Sequence, residues 1–552
     1  MRILICHGYL LRGTGSNQYV QSLARALCVQ GHQLVVMCQD DDPRLDFVST
    51  FLREEEGGTA PRVIWEKETG YPGNCMVFKP DIGGLLPVYV MDSYPGFTVK
   101  EFTQLNEAEL DSYVSRNRRS LSRLVEQFVP DVIHANHAVM LPYIVRPVAS
   151  EHDTPYFVSV HGSAIDFAVK KQPRYLRYAA DGLDGAYGIL VPSEHTEVEI
   201  TGIFRPLIGG LQRKITIIPP GVDTEAFRPA DKSFAEDVEL MLESVGERTS
   251  GITVGDFSGG KSGENLRLVK EASQIEREIS RINSIHPDWL PEPDMALTMR
   301  ELARDAGPFV MFLGKLLETK GIQCVIPAMP LVLREHPETR LVVVGFGELR
   351  GILELMIDAL DTGEIRTLKS LCDYGNSAYA GRVSNPFGPV LAFLDELAGV
   401  GALDDYLRLC FDLELRRSII FCGYLTPEEH HHILGHARAL LVPSVAPEAF
   451  GMVVSEALAS GVVPIATNHS GLQTALEPLR KVWGRDAEAL MLGTPEKLVF
   501  RIGAACRTVL DMPQGVIQKR GAETRAIVKQ RLSWEAISRR VAGMFEEATA
   551  RC

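Results

Sequence analysis

The chain alternates short runs of β-branched and aliphatic residues with longer segments whose apolar positions recur every three or four residues. A short continuous apolar run fits a strand buried on both faces, and the longer period fits an amphipathic helix. Their alternation is the mark of parallel α/β architecture. Residues 2–6 predict a strand, Gly13-Thr14-Gly15 a tight loop, and residues 16–28 a helix with Tyr19, Val20, Leu23 and Leu27 on one face. Gly31-His32 closes that helix, and residues 33–37 form the next strand. Further strands are predicted at 132–134, 157–160, 188–191 and 215–218, the last running into Pro219-Pro220-Gly221-Val222-Asp223. Residues 1–229 therefore predict one doubly wound, Rossmann-like domain.

The pattern then changes. Residues 230–305 are polar and charged, with helical pieces at 234–243 and 265–281 and few strand signals, and predict an insertion or linker. A second alternating block, 306–527, carries strands at 309–313, 340–344, 419–421, 439–442 and 463–466. A helical stretch at 349–417 is longer than one crossover needs and predicts a second insertion. The terminal segment 528–552 contains a helix at 534–548, for which packing back on the first domain is the expectation.

A length of 552 residues suits two large α/β domains. No stretch of about 18 apolar residues occurs, and the first apolar run stops at His7-Gly8, so neither a membrane span nor a signal peptide is expected. The cytoplasm is the default location, the inner membrane face included. With 71 acidic and 57 basic residues the net charge is −14, which disfavours nucleic acid as a partner. Two basic patches, Arg116, Arg118, Arg119 and Arg123, and Lys170, Lys171, Arg174 and Arg177, read either as solvated helix faces or as sites for an anionic or membrane-associated acceptor. The ten cysteines show no C-x-x-C or zinc-type spacing and read as reduced core thiols.

Candidate chemistry concentrates in the second block. The strand ending at Val442 runs into Pro443-Ser444, then Pro447-Glu448-Ala449-Phe450-Gly451-Met452-Val453, with Glu456 further along the helix that starts near Gly451. The first N–H groups of a helix are unpaired and lie at the positive end of its dipole. A phosphate beside Phe450, Gly451, Met452 and Val453 therefore gains hydrogen bonds without a side chain. Glu448 and Glu456 can accept from sugar hydroxyls on either side of that phosphate. Lys315 and Lys320 bracket a loop after strand 309–313, from which both can meet a diphosphate.

On these residues the chain resembles the retaining glycosyltransferases of GT-B fold in the large family-four group, glycosyl transferases group 1. Glu448 and Glu456, with Gly451 between them and Ala459-Ser460-Gly461 after them, match that family's paired-glutamate motif. Lys315 and Lys320 stand where the family usually has an arginine and a lysine, which keeps the charge but loses the planar fork. Ile218-Pro219-Pro220-Gly221-Val222-Asp223 resembles the interdomain segment, with Pro220 in place of the usual asparagine. Phe421-Cys422-Gly423-Tyr424 resembles the strand whose backbone contacts the nucleobase, and Gly345-Phe346-Gly347 a glycine turn facing the ligand. Gly13-Thr14-Gly15 resembles the loop on the acceptor and phosphate side. Val160-His161-Gly162 resembles the strand end whose histidine lies near the transferred sugar. In Pro130-Asp131-Val132-Ile133-His134-Ala135-Asn136-His137, His134 reads as structural and His137 as an acceptor contact.

The resemblance implies two Rossmann-like domains facing a cleft, with helical insertions. It implies retaining transfer of a hexose-type sugar from a nucleotide diphosphate sugar to an acceptor hydroxyl. Lys315, Lys320, Glu448 and His161 would then be catalytic. Gly15, Gly423, Tyr424, Phe450, Gly451, Met452, Val453 and Glu456 would bind substrate. No metal or organic cofactor is expected, since the lysines and the helix start supply positive charge, and Asp40-Asp41-Asp42 falls on a surface-like loop. The alternative is a protein of this fold that binds nucleotide sugar without turnover. Separately, Gly255-Asp256-Phe257-Ser258-Gly259-Gly260-Lys261-Ser262 fits the Walker A pattern. Its surroundings lack a second apolar strand ending in aspartate, so a flexible loop is expected there.

Overall fold

The computed structural model describes residues 1–550 except 14, 56–59, 91–93, 95, 251–271, 287, 306 and 494. The Walker-like segment 255–262 lies outside the described residues. Two compact units form: Met1–Gly221 with Arg531–Cys552, and Val222–Gln530.

In the first unit, strands β1 (Arg2–Cys6), β2 (Gln33–Met37), β3 (Val48–Arg53), β4 (Arg62–Glu66) and β5 (Asn74–Lys79) precede a small parallel pair, β6 (Leu85–Val88) and β7 (Thr98–Glu101). They are followed by β8 (Val132–Asn136), β9 (Tyr156–Ser159), β10 (Gly188–Val191) and β11 (Ile215–Ile217). The main sheet runs β11-β10-β9-β8-β1-β2-β5-β3-β4, parallel throughout except for the antiparallel edge pair β3–β4. β1 and β2 are nearly wholly buried aliphatic runs, and β8 is wholly buried with His134 and Asn136 in it, as in a sheet covered on both faces. The terminal helix Trp534–Thr549 belongs to this unit, with Ile537, Val541 and Phe545 buried in the same core cluster as Tyr19, Val20 and Leu23 of helix Gly15–Val29.

In the second unit, β12 (Phe309–Leu313), β13 (Arg340–Val344), β14 (Ile419–Gly423), β15 (Ala439–Val442), β16 (Val463–Thr467) and β17 (Met491–Leu492) form an all-parallel sheet in the order β14-β13-β12-β15-β16-β17. Four helices between Arg350 and Leu413 make up the inserted stretch between β13 and β14. The boundary between the units falls after Gly221 rather than at 229.

The described residues of 230–305, expected as a polar insertion or linker with helical pieces, contribute helices to the second unit. Helix Phe234–Thr249 packs on Pro427–Leu434 and helix Ala272–Ile285 packs on Arg350–Asp361. The surface charge hid this docking. Val238, Met241, Ile275, Ile279 and Ile282 recur at helical spacing and are buried. Arg248 adds a bond to the buried Glu429 at 2.6 Å.

The basic patches resolve as ion pairs at several positions. Arg116 meets Asp81 at 2.8 Å, Arg123 meets Glu54 at 3.1 Å, Lys170 meets Asp166 at 2.6 Å, and Arg174 meets Glu107 at 3.2 Å. That favours the solvated-face reading over an anionic docking site. No described helix is long and apolar enough to cross a membrane.

Candidate active site

Open parallel sheets bind ligands outside the carboxyl ends of their strands, where the strand order reverses. In the second unit that point lies between β12 and β15. The loops that leave these two strands meet there: the Val445 N–H donates to the Thr319 carbonyl at 2.9 Å. This junction brings Lys320 to Glu448, whose Nζ and Oε1 are 2.6 Å apart. The same carboxylate oxygen accepts from the Ser444 hydroxyl at 2.8 Å. The Glu448 N–H donates to Ser470 Oγ at 2.9 Å, and the Gly471 N–H donates to the Glu448 carbonyl at 2.8 Å. His469 lies 2.9 Å from the Ser444 carbonyl. Glu448 is thus fixed by backbone and side chain from two loops. Sequence reasoning found Lys320 and Glu448 but assigned no role to Ser444, His469 or Ser470.

Helix Met452–Ala459 opens on Gly451, at φ 98°, with no side chain to cap its first N–H groups. Gly451, Met452 and Val453 remain partly exposed while Phe450 is buried at 3%. Glu456 lies in the buried part of the helix, and burial pushes its carboxyl up to about 7.

Lys315 takes a different setting from Lys320. Its Nζ lies 5.2 Å from the Trp289 ring centre and 5.3 Å from that of Phe346. Tyr424 completes the aromatic group, 5.1 Å from Trp289 and 5.4 Å from Phe346. The two lysines expected on one diphosphate therefore stand in two neighbourhoods, one anionic and one aromatic. Gly423, at φ 70°, belongs to the aromatic one.

In the first unit the strand order reverses between β1 and β8. Here His7 stacks on His137 with ring centres 6.0 Å apart, and His137 meets the edge of His161 at 4.7 Å. His7 pairs with Asn17 Oδ1 at 3.0 Å and His161 with Asn136 Oδ1 at 3.2 Å. His134 reaches Ser159 Oγ at 2.8 Å. His137 is 2% exposed, at φ 67°, and neither of its ring nitrogens has a hydrogen-bond partner among the described residues. Burial pushes His161 down to about 3, helped by His7 and His134, and pushes His7 and His134 down to about 4. All are neutral at pH 7. Gly15 begins helix Gly15–Val29 near this end of the sheet. Asp40-Asp41-Asp42 is occupied by its own cations: Asp41 holds Arg53 at 2.9 Å and Asp42 holds Arg44 at 2.9 Å.

Residues 14–221 match the family described as Glycosyl transferase 4-like domain, and residues 397–481 match Glycosyl transferases group 1. The chain belongs to the group 1 glycosyltransferases of GT-B fold. The second match includes Glu448, Gly451 and Glu456, whereas Lys315 and Lys320 lie outside it. An uncharacterised glycosyltransferase of Methanocaldococcus jannaschii is 23% identical over 174 residues, a stretch covering 32% of this chain and 30% of that relative. The match thus spans under a third of that relative's length. Among solved structures, the sucrose-phosphate synthase of Thermosynechococcus elongatus is similar over 100% of both chains, with TM-score 0.56 and 16% identity. The Anabaena HepE protein in complex with UDP and glucose is similar over 99% of this chain and 100% of its own, with TM-score 0.51 and 12% identity. These structural likenesses show the fold of this group 1 glycosyltransferase.

Proposed function

We propose that this protein transfers a hexose-type sugar from a nucleotide diphosphate sugar to an acceptor hydroxyl, with retention at the anomeric carbon. The observation that carries the reading is the Lys320–Glu448 pair at the β12–β15 switch point, beside the uncapped helix start at Gly451. In the reaction the bond from the anomeric carbon to the diphosphate oxygen breaks, and the acceptor oxygen bonds to that carbon on the same face. The acceptor proton passes to the leaving diphosphate. Negative charge grows on the diphosphate, and Lys320 with the Gly451–Val453 N–H groups meets it, so no metal ion or organic cofactor is called for in this reading. Glu448 addresses the transferred sugar, and Glu456 accepts from the donor's ribose. Neutral His161 and His137 suit an acceptor hydroxyl, which needs a hydrogen-bond partner rather than a charge.

A second reading, binding without turnover, draws on Lys315, which sits on aromatic faces where a phosphate-clamping arginine would be expected. Incubation with radiolabelled nucleotide sugars and candidate acceptors separates the two. Transfer, or slow release of free sugar from the donor, supports the enzyme. Binding with no turnover of any donor supports the second reading, and neither binding nor turnover would sink both.

A further inference from the structure

The segment that follows helix Ala272–Ile285 returns to the sheet beside β14. Its backbone pairs with the end of that strand: Pro291 bridges Gly423, the Glu292 N–H donates to the Cys422 carbonyl at 3.0 Å, and the Tyr424 N–H donates to the Leu290 carbonyl at 2.9 Å. The approach is so close that a Cβ on Gly423 would lie 2.6 Å from both Glu292 N and Leu290 O. Any ligand at this strand end therefore finds the Tyr424 N–H and the Cys422 carbonyl already bonded to the chain itself.

The segment is anchored on several sides. Arg248 donates to the Trp289 carbonyl and to the Tyr424 carbonyl, each at 3.2 Å. Asn283 donates to the Glu348 carbonyl at 2.9 Å and accepts from the Gly351 N–H at 2.8 Å. Between this segment and the turn Gly345-Phe346-Gly347 lies a pocket of about 310 Å³. That volume lies at the lower end for ligand pockets and has room for a ring system such as a base. Its polar lining sets the acceptors Asp288, Glu292 and Glu348 beside Asn283, His286 and Arg350, and Glu348 is paired with Arg382. Arg350 is turned to its own partners, Glu292 at 3.1 Å and Glu354, and lies on the Phe421 ring at 3.7 Å. His286 Nδ1 is 2.6 Å from Glu292 Oε2. Burial alone would push the Glu292 carboxyl up, but His286 and Arg350 outweigh it and hold it below its usual range. Glu292 thus stays ionised, and two partners leave part of its acceptor capacity open.

We infer that Asp288 and Glu292, on the stretch 288–292 that follows helix Ala272–Ile285, read the base of the donor nucleotide through their acceptor side chains, and that they select a base with adjacent N–H donors on one edge, guanine ahead of adenine and uracil. Guanine presents a ring N–H next to an amino group, whereas uracil sets one N–H between two carbonyls that these carboxylates would repel. Adenine offers an amino group beside an acceptor nitrogen and falls between them. The inference rests on the donor reading above and deepens it, since it moves base recognition from the strand backbone to these two side chains.

Isothermal titration of the full chain with GDP, ADP and UDP tests it. GDP should bind tightest, by about tenfold or more over UDP, as expected for hydrogen bonds to a charged acceptor. Glu292→Gln should narrow the GDP-to-UDP ratio. So should Asp288→Asn, which changes an exposed residue and keeps the measurement open should Glu292→Gln fail to fold. Tightest binding of UDP, or a base preference that Asp288→Asn and a folded Glu292→Gln both leave unchanged, would overturn the inference while leaving the donor reading intact. Absence of binding by all three nucleotides would overturn the donor reading and this inference together.

Discussion

At the switch point of the first unit, between β1 and β8, His7, His137 and His161 are all neutral in a buried aromatic cluster. At that of the second, between β12 and β15, Lys320 and Glu448 stand as an ion pair on partly exposed loops. The same strand geometry is thus filled with opposite chemistry. Desolvation decides the first site, because burial penalises each imidazolium and neighbouring histidines add to the penalty. Polar pairing decides the second, where Lys320 and Glu448 balance each other and the helix start at Gly451 adds N–H groups with no side-chain cap. A buried neutral site suits a hydroxyl, and a helix start beside a lysine suits a diphosphate. On the proposed reading, the contrast matches an acceptor held by the first unit and a donor held by the second.

The largest expected effect comes from removing the cation. Lys320→Ala should lower kcat/KM for sugar transfer by about 10²–10³-fold, the usual cost of one preorganised stabilising group. A near-normal value in steady-state assays would break the comparison at its charged end. The two carboxylates sharpen it next. Glu448→Gln should reduce turnover and spare affinity for the free nucleotide. Glu456→Gln should weaken both the nucleotide and the nucleotide sugar, by about tenfold for a lost acceptor. Identical patterns in the two variants would refute this division of labour.

Stability should respond to pH with opposite sign in the two units. Burial raises Glu456 from 4.5 to about 7. The stability it contributes is therefore full below about pH 4.5 and is lost as pH rises through about 7. The histidines run the other way. His161 falls from 6.5 to about 3, and His7 and His134 from 6.5 to about 4. Their contribution is present above about pH 6.5 and is lost as pH falls toward 4 and below. Glu456→Gln should remove a decline of roughly 1–3 kcal/mol across its window, and His134→Gln should soften the acid loss. Thermal melts from pH 4 to 8 read both, and slopes unchanged by the variants would show that burial does not set these charges. The smallest effect is none at all: Lys261→Ala should leave transfer unchanged, and loss of an ATPase activity in that variant would revive the Walker-like reading.

Much of this was legible in the sequence because buried parallel strands read as unbroken apolar runs. β1, β2, β10, β12, β13 and β15 end where that pattern ends. β4 escaped it, since four of its five residues are exposed at the sheet edge and the fifth is partly buried, leaving no buried alternation to read. The Lys320 and Glu448 loops were each recognisable. Their 128-residue separation closes only through the strand order, so Ser444, His469 and Ser470 had no signal as supports. The cluster around His137 was hidden for the same reason, because topology and not spacing brings His7 beside it. Residues 288–292 lack any periodicity, and no pattern announces their backbone pairing to β14.

Hydrogen exchange of the full chain, with and without saturating nucleoside diphosphate, tests the assignment of donor and acceptor most directly. GDP, ADP and UDP should each be tried as the probe. The account predicts slowed exchange at residues 315–321 and 444–456 in the second unit, with residues 7–13, 134–139 and 160–165 of the first unit unchanged. Protection confined to the histidine cluster, with residues 444–456 unaffected, would contradict it.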